Sequence, residues 1–435
     1  MLRLPRPRRV VLQSGATLLH QKNPFSPTVA FGVYFTRGSR DEQRSERGFS
    51  HLLEHTVFRG TRRRSALEIA LELESIGGQW DAFTGREMTC YNGRVIEDHF
   101  PQLADIFADI ILHPSLPPEA FRLERRVVQE EIRSIQDSPE EMAHELFFRT
   151  IFRRHPLGDP ITGYQSDIAR CTREDLLGFH AKTYTAGNAC IGFVGNIPLD
   201  RVVSILDRRF TFRRKRRGTN GEAPGSTRGR VHSLIRKDGN QSHIVIGCRT
   251  VPAADERRYA VLGLANILGG GVSSRLFQSL RERSGLAYSV LANAQFWRDT
   301  GVLYIFFSVD PKKAPRALEI VRDDLESLRS GRITDAELAS AKAQLKGSIV
   351  LGIESVEFRL FQLFHGEIYH GGYEPFAHVL KRIDRVTATE VSAAAAAFLA
   401  EKDLTYVTCG PIGLRNLVPE ATAGSSGRLE EGKHH

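Results

Sequence analysis

Two histidines and a glutamate stand within five residues in the run His51-Leu52-Leu53-Glu54-His55. On a helix, His51, Glu54 and His55 fall on one face, because positions i, i+3 and i+4 realign within one turn. Two neutral imidazoles so placed can grip one transition-metal ion, with a carboxylate beside them to carry a proton. The bland alternative is a surface helix with two solvated histidines. The flanks favour a packed helix: Gly48 precedes it as a helix start, Leu52, Leu53 and Phe58 supply apolar neighbours, and Gly60 ends it.

The order His-x-x-Glu-His is the inverzincin pattern of zinc proteases. Two histidines do not complete a catalytic zinc site, which needs a third protein ligand and an open fourth place. The segment from Pro118 to Ile135 reads as a helix in which Glu124, Val128, Glu131 and Ile135 share a face. Two acids on a face with Val and Ile could serve a metal, or form a salt-bridged helix face; the segment alone leaves both open. Glu130 lies about 100° around the helix and reads as a surface acid.

The chain resembles the pitrilysin or insulinase-like metallopeptidases, a family that includes mitochondrial processing peptidase. The resemblance runs from about residue 8 to residue 415 and includes Gly38–Glu42, His51–His55, Gly77-Gly78, Asp81-Ala-Phe-Thr84, Val128–Ile132 and His155–Gly158. It implies one zinc per chain held by His51, His55 and Glu131, with Glu54 as general base and Glu124 orienting a histidine ligand. It also implies that Asp81, Ala82, Phe83 and Thr84 lie on the strand edge that binds the substrate backbone. Here the chain departs from the family, which usually has Asn where Asp81 stands; that change bears on substrate choice and leaves the metal residues intact.

In the second half, Gly269-Gly270-Gly271 is followed by no Gly-Lys-Ser/Thr, so a phosphate loop is rejected. Ser273 or Ser274 is expected to cap the helix running through Arg281. On their own, Arg281 and Tyr288 are an exposed arginine and a tyrosine at a strand start. By resemblance they are the pair that holds the scissile carbonyl.

Elements that would position these residues recur. Strand-like Thr89–Val95, a helix Phe100–Leu112 and a helix near Pro117 are echoed by Gly301–Val309, Ala314–Leu328 and a helix near Thr334. Each half ends in a helix (Arg173–Tyr184; Ala388–Ala400) followed by an apolar strand. The expected fold is α+β, with two homologous domains, each a mostly antiparallel sheet with helices packed on it. The boundaries drawn are a zinc-binding domain at 1–210, an Arg/Gly-rich linker at 211–230, a metal-free copy at 231–420, and a tail at 421–435 resembling a tag remnant.

Composition is that of a globular protein, 41% hydrophobic and 26% charged. Five scattered cysteines without a Cys-x-x-Cys pair suggest reduced thiols. No run approaches a membrane span, and no secretory leader is read, so the expected compartment is cytoplasmic. The net charge of +9 is concentrated partly in Arg213–Arg217, beside linker sequence, and no nucleic-acid motif accompanies it. The expected function is a zinc endopeptidase that hydrolyses unfolded peptides in a chamber formed by two chains. A homodimer is expected, a heterodimer being the other arrangement, with Arg281 and Tyr288 acting on the partner's zinc. The rival reading is a non-catalytic or partner-dependent subunit of a heteromeric processing peptidase.

Overall fold

A computed structural model describes residues 4–214, 221–225, 229–237, 239–414 and 417–418. The chain forms two compact units. Each is a mostly antiparallel sheet with helices packed on it, the α+β class and duplication expected from the repeated element order.

The first unit is Met1–Arg133, Asp159–Glu222 and Leu351–Pro375. Its strands are β1 (Arg8–Val11), β2 (Thr17–Lys22), β3 (Thr28–Phe35), β4 (Gln79–Thr84), β5 (Thr89–Ile96) and β6 (Ala189–Gly195), in the order β1-β2-β6-β3-β5-β4. β2 and β6 run parallel and the other neighbours antiparallel. The second unit is Ser134–Gly158, Ala223–Val350 and Phe376–His435. Its strands β7 (Val231–Ile235), β8 (Ser242–Thr250), β9 (Ala287–Phe296), β10 (Gly301–Val309) and β11 (Thr405–Gly410) are ordered β7-β11-β8-β10-β9. Here the parallel pair is β7 and β11, the counterparts of β2 and β6. The second sheet thus repeats the connectivity of β2-β6-β3-β5-β4.

β3, β6, β10 and β11 are buried on almost every residue because both of their faces are covered. Along β3, Val29, Phe31, Val33 and Phe35 enter the larger core, while Ala30 and Tyr34 meet the helix Val356–Tyr369 on the opposite face. That helix presses close because Gly32 and Gly192 pair across β3 and β6; a Cβ at Gly192 would lie 2.4 Å from Leu360 Cδ1. In the second unit the helix Pro139–Phe152 covers the corresponding face, with Phe147 against Gly247.

This pairing corrects the domain boundaries drawn on the sequence. The compact units are not continuous halves. The segment Ser134–Gly158 packs in the second unit, and Leu351–Pro375 in the first. The physical reason is that an amphipathic helix records that it must be covered, not which sheet covers it. Parts of the 211–230 linker (215–220 and 226–228) and the whole 421–435 tail lie outside the described residues. All five cysteines are buried. Among the described residues no helix is long and apolar enough to cross a membrane.

Candidate metal centre

The motif lies on the helix Phe49–Val57, which buries Leu52, Leu53 and Val57 in the first unit's core and leaves His51, Glu54 and His55 partly accessible. It starts at Gly48, whose φ of +82° and crowded surroundings (a Cβ would lie 2.5 Å from the Thr162 carbonyl oxygen) require glycine. The helix Pro118–Asp137 buries Phe121, Glu124, Val128 and Ile132 and so presents Glu131 toward the motif. Glu130 points to solvent and pairs with Arg133, as its position on the helix predicts.

His51, His55 and Glu131 converge. One Glu131 oxygen, Oε2, stands 3.6 Å from His51 Nε2 and 3.8 Å from His55 Nε2. Donor atoms of all three lie within 4.8 Å of one another. Zinc–nitrogen and zinc–oxygen bonds of the usual lengths place tetrahedral ligands about 3.4 Å apart. The donor set therefore fits a zinc ion after only small side-chain adjustment.

Electrostatics suit a cation. Burial and the neighbouring His55 push the pKa of His51 down to about 3, so its ring stays neutral and available as a ligand. Burial opposes charge on His55, but its hydrogen bond to Glu124 and the nearby Glu54 and Glu131 raise its pKa overall. Glu124 is almost wholly buried; its Oε2 lies 3.2 Å from His55 Nδ1 and its Oε1 2.7 Å from Arg59 Nε. Of the two histidines, His55 is the one Glu124 reaches. Among the described residues, His51 Nδ1 is buried without a hydrogen-bond partner.

Glu54 points to β4, where the Thr84 hydroxyl donates to its Oε2 at 2.9 Å. Burial raises the Glu54 pKa, and the Thr84 bond and His55 offset part of that rise. Among the described residues, β4 is the sheet edge, paired through Gln79–Thr84 with β5 alone. Asp81 is exposed there, with Ala82, Phe83 and Thr84 partly buried. A cleft of about 340 Å³ runs beside the motif, lined by Glu54, His55, Phe58, Arg59, Trp80 and Glu124 among others. The Trp80 ring stacks on Phe58 at 5.0 Å.

Arg281 and Tyr288 belong to the second unit, where they meet. Arg281 lies on the π-helical turn Phe277–Glu282, a local irregularity that recurs at functional sites. Its guanidinium sits between two rings, 4.8 Å from the centroids of both Phe277 and Tyr288. Tyr288 is 76% exposed. Ser274 takes the expected N-cap position, its backbone carbonyl accepting the Gln278 amide, but among the described residues its buried hydroxyl has no hydrogen-bond partner.

Two contributors were not singled out from the sequence. Arg59 follows His55 by four residues, a spacing that could have placed it on the same helical face. Glu42 lies inside the Gly38–Glu42 block, but its contacts with the Gly48 and Ser50 amides arise from a loop that no periodicity describes.

Two family models match successive stretches of the chain and do not follow the compact units. Residues 17–164 match the family described as Insulinase (Peptidase family M16), and residues 170–345 match the Peptidase M16 inactive domain. An uncharacterized zinc protease of Mycobacterium tuberculosis is 35% identical over 419 residues, covering 95% of each chain. The uncharacterized zinc protease YmxG of Bacillus subtilis is 32% identical over 408 residues, covering 93% of this chain and 98% of its own. The crystal structure of a protease from Helicobacter pylori superposes with a TM-score of 0.87 at 23% identity, covering 94% of this chain and all of that one (100%). At that identity the likeness establishes the fold.

Proposed function

We infer a function from one premise: this chain belongs to the insulinase family of peptidases, M16. We propose that it is a zinc-dependent endopeptidase that hydrolyses unfolded peptides inside a chamber formed by two chains. The observation that carries this reading is the convergence of His51, His55 and Glu131 with Glu54 alongside.

His51, His55 and Glu131 would hold a zinc ion, which when bound would supply Lewis acidity and make water more acidic. Glu54, with its pKa raised by burial, takes the proton of the attacking water and returns it to the departing amine. Thr84 holds one Glu54 oxygen through its hydroxyl, limiting the carboxylate's freedom. Glu124 accepts the Nδ1 proton of His55 and so turns Nε2 toward Glu131. Tautomer and ring orientation are then set by one buried carboxylate.

The free edge of β4 offers unpaired backbone groups to an extended peptide, which suits strand addition by unfolded substrates. Asp81 places a negative charge on that edge, where it favours basic side chains in the bound peptide. Arg281 and Tyr288 donate hydrogen bonds to the scissile carbonyl as it gains negative charge. The chain carries one metal motif and one Arg/Tyr pair, which supports a homodimer in which each pair serves the partner's zinc. Retention of every metal donor weighs against a purely non-catalytic subunit.

The test is digestion of a random pool of unstructured peptides with and without chelator, read by mass spectrometry beside metal analysis of the protein. Cleavage that chelator abolishes and zinc restores is expected. Protein that cannot be loaded with stoichiometric metal, or cleavage indifferent to chelator, overturns the proposal.

A further inference from the structure

The first-turn amides of a helix need acceptors, and Gly48, at the N-cap of Phe49–Val57, has no side chain to offer one. Glu42 does that work from outside the helix. Its Oε2 accepts the Gly48 N–H at 2.8 Å and its Oε1 the Ser50 N–H at 2.7 Å. Ser50 immediately precedes the first histidine. A carboxylate at a helix N-terminus is also favoured by the helix dipole.

Glu42 is itself clamped. The Ser39 and Arg40 amides donate to the carbonyls of Gly85 and Arg86 in the turn between β4 and β5, at 3.2 and 2.9 Å. The Arg40 guanidinium meets the Glu87 carboxylate at 2.5 Å, both side chains being almost wholly buried. Gly38 permits this approach, since a Cβ there would lie 2.3 Å from the Gly85 carbonyl oxygen. The strand leading into that turn ends in Thr84, which holds Glu54. One turn therefore grips the motif helix twice, through Thr84 on the catalytic face and through Gly38–Glu42 at its N-terminus.

We propose that Glu42 is a positioning residue for the metal centre: by holding the Gly48 and Ser50 amides it fixes the first turn of the helix so that His51 meets His55 and Glu131. This rests on the zinc peptidase reading above. Ligand constellations tolerate only about 0.5 Å of misplacement, and loss of a supporting contact typically weakens metal binding roughly 10- to 100-fold.

The test compares zinc dissociation constants, measured by competition with a chromogenic chelator, for the full chain and its variants, together with the melting temperature of each metal-free protein. Glu42→Gln keeps the size but can accept through one oxygen only, and is expected to weaken zinc binding at least tenfold. Phe193→Leu, a core change on β6, is the control: it lowers the melting temperature and leaves zinc affinity within twofold. Should Glu42→Gln not fold, Glu42→Asp, which keeps the charge but is one methylene too short to reach both amides, is expected to show the same loss. A folded Glu42 variant with zinc affinity within twofold of the parent, or one that falls no further than Phe193→Leu, overturns the inference. A parent protein that binds no zinc overturns it together with the peptidase reading, whereas a zinc-binding parent matched by Glu42→Gln overturns this inference alone.

Discussion

Thr84, the last residue of β4, donates its hydroxyl to Glu54 at 2.9 Å. The strand edge that would receive a peptide and the carboxylate that would move the proton are thereby joined by one hydrogen bond. Thr84→Val keeps the shape and removes the donor. A hydrogen bond to a charged group is worth about 1.5–3 kcal/mol, so kcat is expected to fall about tenfold or more with KM little changed, measured by steady-state hydrolysis of a fluorogenic peptide. A rise in KM with kcat unchanged would assign Thr84 to binding alone.

Glu54→Gln removes the proposed proton carrier and keeps His51, His55 and Glu131. Peptide cleavage is expected to drop by about 10²- to 10⁴-fold, the range for a lost general base, while zinc content stays at one per chain. Unchanged turnover would remove Glu54 from the mechanism.

The donor set makes a graded prediction. His51→Ala, His55→Ala and Glu131→Gln are each expected to abolish stoichiometric zinc binding. Glu124 meets His55 and is not one of the three converging donors, so Glu124→Gln is expected to retain zinc with affinity lowered roughly 10- to 100-fold. Equal behaviour of Glu124→Gln and Glu131→Gln in chelator competition would erase the distinction between ligand and support.

Arg281 and Tyr288 are tested by complementation. Tyr288→Phe alone is expected to lower kcat about 10²- to 10³-fold, as for a lost oxyanion donor, with zinc still bound. Mixed with Glu54→Gln and allowed to exchange subunits, it is expected to recover roughly a quarter of parental activity: half the dimers are mixed, and one of the two sites in each is complete. No recovery, after exchange is verified by native mass spectrometry, would place the pair in the same chain as the zinc it serves.

Acid stability depends in part on Glu337. Burial disfavours its charge, but the Arg275 guanidinium and the Thr334 amide and hydroxyl outweigh this and hold its pKa at about 2, against 4.5 for the free group. A depressed folded-state pKa gives stability that is present above pH 4.5 and lost as pH falls through 2. Glu337→Gln is therefore expected to melt below the parent near neutral pH, with the difference shrinking from about pH 4.5 downward. The two thermal-denaturation curves are expected to converge near pH 2; a constant gap would show that the loss is not electrostatic.

The parts legible in the sequence are those set by local periodicity. The three-residue face of the motif helix, the shared face of Glu124 and Glu131, and the surface position of Glu130 all follow from 3.6 residues per turn. The repeated order of strands and helices revealed two copies of one α+β architecture, with helices Phe100–Leu112 and Ala314–Arg329 beginning where their patterns begin.

Tertiary structure decided what spacing cannot carry. Periodicity says that Glu131 shares a face with Glu124, but only the packing of Pro118–Asp137 against Phe49–Val57 brings Glu131 to the histidines and Glu124 to His55 alone. The helices Pro139–Phe152 and Val356–Tyr369 each cover a sheet built mainly from the other half of the chain, because an apolar stripe specifies burial without naming its partner. Glu42 and Arg59 acquire their places from a loop clamp and a buried carboxylate, contacts made by folded geometry between residues that no repeat relates.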